Sequence, residues 1–259
     1  GIETLGDEIA TQIRQKCGRD PDAVVITNAG GGNLTGTARG LIKAGCSNTQ
    51  IVAASVDITG LHMASDKAFN RKSFTTGHTG FGMPFSTWPD RTDVPRNAAR
   101  SLRYTDRYVL VSQGEVFYMT EALAQLEGLE RGPAGNTSLT AAFALAQEMD
   151  RDQVVVIQET EYTGAGKHVT AQLSFAREQL GIEVRRGNPE EQIPGKNIII
   201  PENPGQVKAR DISLDDLRRS YCKNVLKMNN ITKEQLTNND IKFMAEDTKT
   251  TEDYIRSIL

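Results

Sequence analysis

Residues 23–37 read Ala23-Val24-Val25-Ile26-Thr27-Asn28-Ala29-Gly30-Gly31-Gly32-Asn33-Leu34-Thr35-Gly36-Thr37, an apolar run that passes through three consecutive glycines into a helix-forming pattern. A short apolar run bounded by turn formers predicts a strand buried on both faces. Residues 34–43 carry helical periodicity, and Gly45 supplies the stop. Upstream, Leu5, Ile9 and Ile13 recur four apart among polar residues, which predicts an amphipathic helix closed by Gly18 and Pro21. Downstream, apolar runs at 51–56, 108–112, 154–157 and 198–200 predict further strands. Between them lie helical stretches at 115–126, at 137–149 with Thr137 as cap, and at 169–180. Strands alternating with helices predict an α/β fold: an open, mostly parallel twisted sheet with helices on both faces.

Two segments break the alternation. Residues 57–107 are rich in polar residues, Gly and Pro without a sustained period, and a stretch of that kind inside a domain is usually functional. After residue 206 the chain turns charged and helical, and Thr232-Lys233-Glu234-Gln235 has capping-box form. The expected organisation is an α/β domain over 1–205 and a helical tail over 206–259.

Composition narrows the function. The 259 residues carry a formal charge of −3 and are 38% hydrophobic, with 23 glycines. That is ordinary globular composition, and a near-zero charge supplies no field for a nucleic-acid partner. No apolar run is long enough to span a membrane, and no charged segment followed by an apolar one opens the chain. Cys17, Cys46 and Cys222 are widely spaced and form no C-x-x-C pair. A disulfide framework and a zinc site are therefore disfavoured, and a reducing cytoplasm is the expected compartment.

The glycine run points to a phosphate. Glycines let several backbone N–H groups converge, and the start of a helix adds partial positive charge. Asn33, Thr35 and Thr37 can add side-chain bonds, and a tight strand-to-helix turn is the plainer alternative. No Gly-Lys-Ser/Thr follows, which disfavours a Walker-type loop. Gly30, Gly32 and Gly36 neighbour the dinucleotide fingerprint without matching it, and Asp57 ends the next strand, either to meet a ribose hydroxyl or simply as a solvated strand end, which taken alone is the plainer reading. An NAD(P)-dependent oxidoreductase therefore stands as an alternative. A second glycine-rich loop, Glu161-Tyr162-Thr163-Gly164-Ala165-Gly166-Lys167-His168, follows the strand at 154–157. There Thr163 can meet a ring nitrogen or simply bond its own backbone.

The order of these motifs resembles the fold type II pyridoxal-phosphate enzymes, the tryptophan synthase β and threonine synthase class. The resemblance runs over residues 1–200, from Leu5-Gly6-Asp7-Glu8-Ile9-Ala10-Thr11-Gln12 through the glycine run to Gly132-Pro133-Ala134-Gly135-Asn136-Thr137 and Thr163-Gly164-Ala165-Gly166-Lys167. Within that class, Phe69-Asn70-Arg71-Lys72-Ser73-Phe74-Thr75-Thr76-Gly77-His78-Thr79-Gly80-Phe81-Gly82, Thr87-Trp88-Pro89-Asp90-Arg91 and Gly114-Glu115-Val116-Phe117-Tyr118-Met119-Thr120-Glu121-Ala122 are similar to the family of 2-amino-4-oxopentanoate thiolase β subunits.

The resemblance implies pyridoxal 5'-phosphate as cofactor, held by Gly30, Gly31, Gly32, Asn33, Leu34, Thr35 and Gly36, with Thr163 at the pyridine nitrogen. It implies thiolytic cleavage of 2-amino-4-oxopentanoate with coenzyme A to acetyl-CoA and alanine in ornithine breakdown, an oligomer, and a small α subunit as partner. The class carries its Schiff-base Lys before the phosphate loop. The carrier is therefore expected in an N-terminal half of the same protein, and Lys72 and Lys167 are set aside. His78 is an acid/base candidate by chemistry alone, with a hydrogen-bonded structural histidine as an equal alternative. Arg91, Arg96, Arg100, Arg103 and Arg107 form a basic series, either for a coenzyme A phosphate or the α subunit, or simply a solvated face.

Overall fold

The computed structural model describes residues 1–28, 31–57, 98–159, 169–193 and 196–259. In chain order the elements are α1 (Glu3–Cys17), β1 (Ala23–Thr27), α2 (Gly32–Lys43), β2 (Gln50–Val56), a 3-10 helix (Ala98–Arg103), β3 (Arg107–Val111), α3 (Gln113–Glu127), α4 (Asn136–Ala146), β4 (Val155–Gln158), α5 (Val169–Leu180), β5 (Glu183–Arg186), β6 (Asn197–Ile200), β7 (Arg210–Asp211), α6 (Leu214–Asn229), α7 (Asn238–Thr248) and α8 (Glu252–Ile258).

The main sheet has the order β4-β1-β2-β3-β7. Its first four strands run parallel, and β7 joins β3 antiparallel. Alternate strand residues feed two cores. Val25, Val52, Ala54 and Val109 pack with Phe117, Ala141, Leu145 and Leu173 on the face of α3, α4 and α5. Val24, Ile26, Ala53 and Tyr108 pack with Leu34, Ala38, Leu41 and Leu217 on the face of α2 and α6. Burial on both faces explains why the strands read as continuous apolar runs. The mostly parallel α/β sheet with helices on both faces is the architecture expected from the sequence.

One strand departs from expectation. The run at 198–200 lies in β6, which among the described residues pairs in parallel with β5 in a second, two-stranded sheet. Glu183, Arg185 and Arg186 hide β5 from any apolar pattern. The sheet is held by close approach to α3, since a Cβ at Gly114 would lie 1.7 Å from the Ile199 carbonyl oxygen.

The C-terminal helices build a separate small core from Cys222, Ile241, Met244, Ala245 and Ile255. They are fastened to the residues before β3 by charge: Arg103 pairs with Glu246 at 2.8 Å, and Lys249 pairs with Asp106. Cys222 is fully buried, and desolvation pushes its thiol up to about 11. At pH 8 it stays protonated and inert, and Cys46 is buried as well, whereas Cys17 is exposed. Brief alkylation followed by peptide mapping is expected to label Cys17 and spare Cys46 and Cys222. Early label on Cys222 would contradict this packing.

Candidate functional site

The chain runs from β1 to β2 to β3 in one direction, then returns to place β4 on the other side of β1. Connections from β1 and β4 thus diverge, which is the switch point where open α/β sheets bind ligands. Ile26 pairs with Gln158 in register, so the loops that follow the two strands leave the carboxyl edge side by side. The glycine run follows β1 and the residues containing Thr163 follow β4.

Gly31 caps α2 with φ +78°, a left-handed conformation natural to glycine. Among the described residues no side chain caps this helix, and its first turn holds no acidic residue, whereas α1, α3, α6, α7 and α8 each carry a carboxylate there. The leading N–H groups of α2 and its positive dipole end are left for an anion. Among the described residues a Cβ built on Gly32 meets nothing within 4 Å, which leaves room over the helix start. The Thr35 hydroxyl is buried with no hydrogen-bond partner among the described residues. A buried hydroxyl left alone costs about 1–3 kcal/mol. An orphan donor, an uncapped helix and open space together fit a phosphate ester.

The other residues of the run divide by role. Asn33 is exposed, and Leu34 is buried in the core beneath the loop, so only its backbone is offered. Gly36 faces α1, where a Cβ would lie 2.6 Å from the Ile2 Cβ. Gly30, Thr163, His78, Lys72, Lys167, Arg91 and Arg96 lie outside the described residues. Asp57 lines a cavity of 230 Å³ beyond the ends of β2 and β3, with Ser112, Gln192 and Arg210 among its walls. Arg103 and Arg107 are engaged with acids, Arg107 reaching Asp211 at 2.6 Å.

Beneath the loop lies a buried polar cycle not read from the sequence. The Ser55 hydroxyl donates to the Asn28 carbonyl at 2.6 Å and lies 2.7 Å from the Tyr108 hydroxyl, which accepts from Asn28 Nδ2 at 3.2 Å. Burial pushes the Tyr108 phenol up, and the Ser55 and Asn28 bonds offset this in part. The cycle holds Asn28, the last described residue before the glycines, while Asn28 Oδ1 has no partner among the described residues. Tyr108→Phe breaks two bonds of the cycle and is expected to cost about 1–3 kcal/mol in urea unfolding. A loss below a few tenths would contradict the cycle. The raised phenol makes its contribution constant below the ordinary tyrosine range and weaker as pH rises through it.

A second network joins the helix starts. Thr27 Oγ1 accepts from Ser138 N at 3.1 Å, Ser138 Oγ donates to the Gln158 carbonyl at 3.0 Å, and Thr37 Oγ1 donates to Gln158 Oε1 at 3.2 Å. At the start of α4, Asn136 Oδ1 and Thr137 Oγ1 are buried without partners among the described residues. The only sequence signal for Gln158 is a polar residue closing an apolar strand.

The protein has clear relatives. Two 2-amino-4-ketopentanoate (4-oxopentanoate) thiolase β subunits, one from Acetoanaerobium sticklandii and one from an unknown prokaryotic organism, are each 62% identical over 259 residues, all of this chain and 54% of theirs. The chain therefore spans about half the length of these curated relatives. The processed form of threonine deaminase isoform 2 from Solanum lycopersicum aligns with a TM-score of 0.47 at 15% identity, over 67% of this chain and 48% of its own. A family model, "Pyridoxal-phosphate dependent enzyme", matches residues 1–160, and this takes the place of the oxidoreductase alternative. The chain thus belongs to the pyridoxal-phosphate dependent enzyme family.

Proposed function

We propose that the protein containing this chain cleaves 2-amino-4-oxopentanoate with coenzyme A, giving acetyl-CoA and alanine, as the acyl-transferring β subunit beside a small α subunit. The single observation that carries this reading is 62% identity along the whole chain to thiolase β subunits. The reading extends to ornithine breakdown, an oligomeric assembly and a cytoplasmic setting. No described helix is long and apolar enough to cross a membrane, and Cys17, Cys46 and Cys222 are free thiols.

Bound pyridoxal phosphate supplies an electron sink for bonds next to a substrate amine. This chain's share is to hold and orient. In this reading, the N–H groups of Gly31, Gly32, Asn33 and Leu34 and the Thr35 hydroxyl take the phosphate, with Gly30 and Gly36 completing the run; the Thr35 N–H is spent on the Gly31 carbonyl at 3.0 Å. Thr163 donates to or accepts from the ring nitrogen; being neutral, it does not hold that nitrogen protonated as a carboxylate would. The lysine that carries the cofactor is assigned to the other half of the protein.

Gly32→Leu gives a sharp test, because an added Cβ there meets none of the described residues and Gly32 is exposed, so the fold is expected to hold. Pyridoxal phosphate affinity is expected to fall about tenfold or more while the urea midpoint holds. Unchanged affinity would remove the phosphate from this helix start. For the reaction itself, the whole protein with its partner subunit is expected to form acetyl-CoA and alanine in equal amounts from 2-amino-4-oxopentanoate and coenzyme A. Cofactor-loaded protein that yields no acetyl-CoA would overturn the substrate assignment.

A further inference from the structure

We propose that Gln158 is a positioning residue that locks the phosphate-holding helix to the strand leading into the ring-nitrogen loop. This rests on the cofactor reading above and deepens it. Gln158 closes β4, is 5% exposed, and follows Val155, Val156 and Ile157. A strand end needing only to fill space would take another apolar residue there, because a buried amide costs free energy unless it is bonded.

The bonds of Gln158 run to two helices. Its Oε1 accepts from Thr37 of α2, two residues beyond the orphan Thr35 hydroxyl, and its backbone carbonyl accepts from Ser138 of α4. Helical threonines commonly bond their own carbonyl four residues back, as Thr120 does to Val116 and Thr140 to Asn136. Thr37 instead reaches across to another element 121 residues away. The chain that continues from Gln158 leads within five residues to Thr163.

One side chain thus ties the helix that takes the phosphate to the strand that delivers the group at the ring nitrogen. A cofactor gripped at both ends needs those grips at a fixed separation. A slack link lets the ring tilt without releasing the phosphate.

The test uses the whole protein, freed of cofactor and reconstituted with pyridoxal phosphate. Thr37→Val removes the hydroxyl at nearly constant volume, and Gln158→Leu removes its acceptor. Gln158→Met stands in should the leucine variant fail to fold. Each is expected to weaken pyridoxal phosphate binding about five- to tenfold and to shift or broaden the phosphorus-31 resonance of the bound ester. Thr37→Ser, which keeps the hydroxyl, is expected to restore both readouts. The double variant is expected to be no weaker than the worse single, because both remove one link.

Wild-type affinity and an unchanged phosphorus line in Thr37→Val and the Gln158 variant would overturn this inference alone. So would a defect in Thr37→Val that Thr37→Ser does not restore, or losses that simply add in the double variant. Failure of the unmutated protein to bind pyridoxal phosphate would overturn the cofactor reading with it.

Discussion

Gly40→Val is expected to cost about 3 kcal/mol or more of folding stability and to carry cofactor affinity down with it. α1 crosses α2 at a pair of glycines. A Cβ on residue 40 would lie 2.1 Å from the Glu3 carbonyl oxygen and 2.8 Å from the Gly6 Cα, and a Cβ on residue 6 would lie 2.1 Å from the Thr37 carbonyl oxygen. All these neighbours are backbone, so no rotamer change relieves the clash. The helices must separate, which opens the packing of Ala10, Leu34, Ala38 and Leu41 and pulls Glu3 from Arg39 and Lys43. Because α2 also begins at Gly32, its displacement moves the cradle. Urea unfolding and a pyridoxal phosphate titration check the two effects. A variant within 1 kcal/mol of the parent would show that the crossing is looser than described.

Glu115→Ala is expected to cost about 3 kcal/mol. The side chain is wholly buried, and its carboxylate gathers three donors: Ser112 N, Lys208 N at 2.9 Å and the Arg210 guanidinium at 3.1 Å. The Glu115 N–H in turn reaches Ser112 Oγ at 3.2 Å, completing a capping box. Alanine strands all three donors. Arg210 is 36% exposed and recovers part of its loss from water, which places the figure at the lower end for a broken buried pair. The damage joins two places, since α3 loses its cap and β7 loses its tie to α3. Glu115→Gln keeps one acceptor and is expected to lose about half as much. A loss under 1 kcal/mol in the alanine variant would contradict this role.

The sequence discloses local structure well where one physical signal dominates. The passage from β1 through Gly31 into α2 is legible because an apolar run, a left-handed glycine and a helical period succeed one another without conflict. α3 begins two residues before its apolar pattern does, since Gln113 and Gly114 belong to the cap rather than the stripe. The Ser112-Gln113-Gly114-Glu115 box was there to be read. β5 is illegible because its charges mask the strand, and its pairing with β6 becomes visible only once α3 is in place.

At the site, the glycines and Thr35 are legible for their chemistry. The residues that aim them are not. Asn28 follows β1 while Ser55 and Tyr108 lie in β2 and β3, and Thr37 meets Gln158 from a separate element 121 residues away. No local pattern announces bonds whose partners lie 20 to 121 residues apart.

The most direct measurement is a crystal structure of the whole protein grown with pyridoxal phosphate. The phosphate is expected against the backbone N–H groups of residues 31–34, within hydrogen-bond distance of the Thr35 hydroxyl. Ester density elsewhere in the molecule, with that helix start empty or filled by packed side chains, would contradict the account.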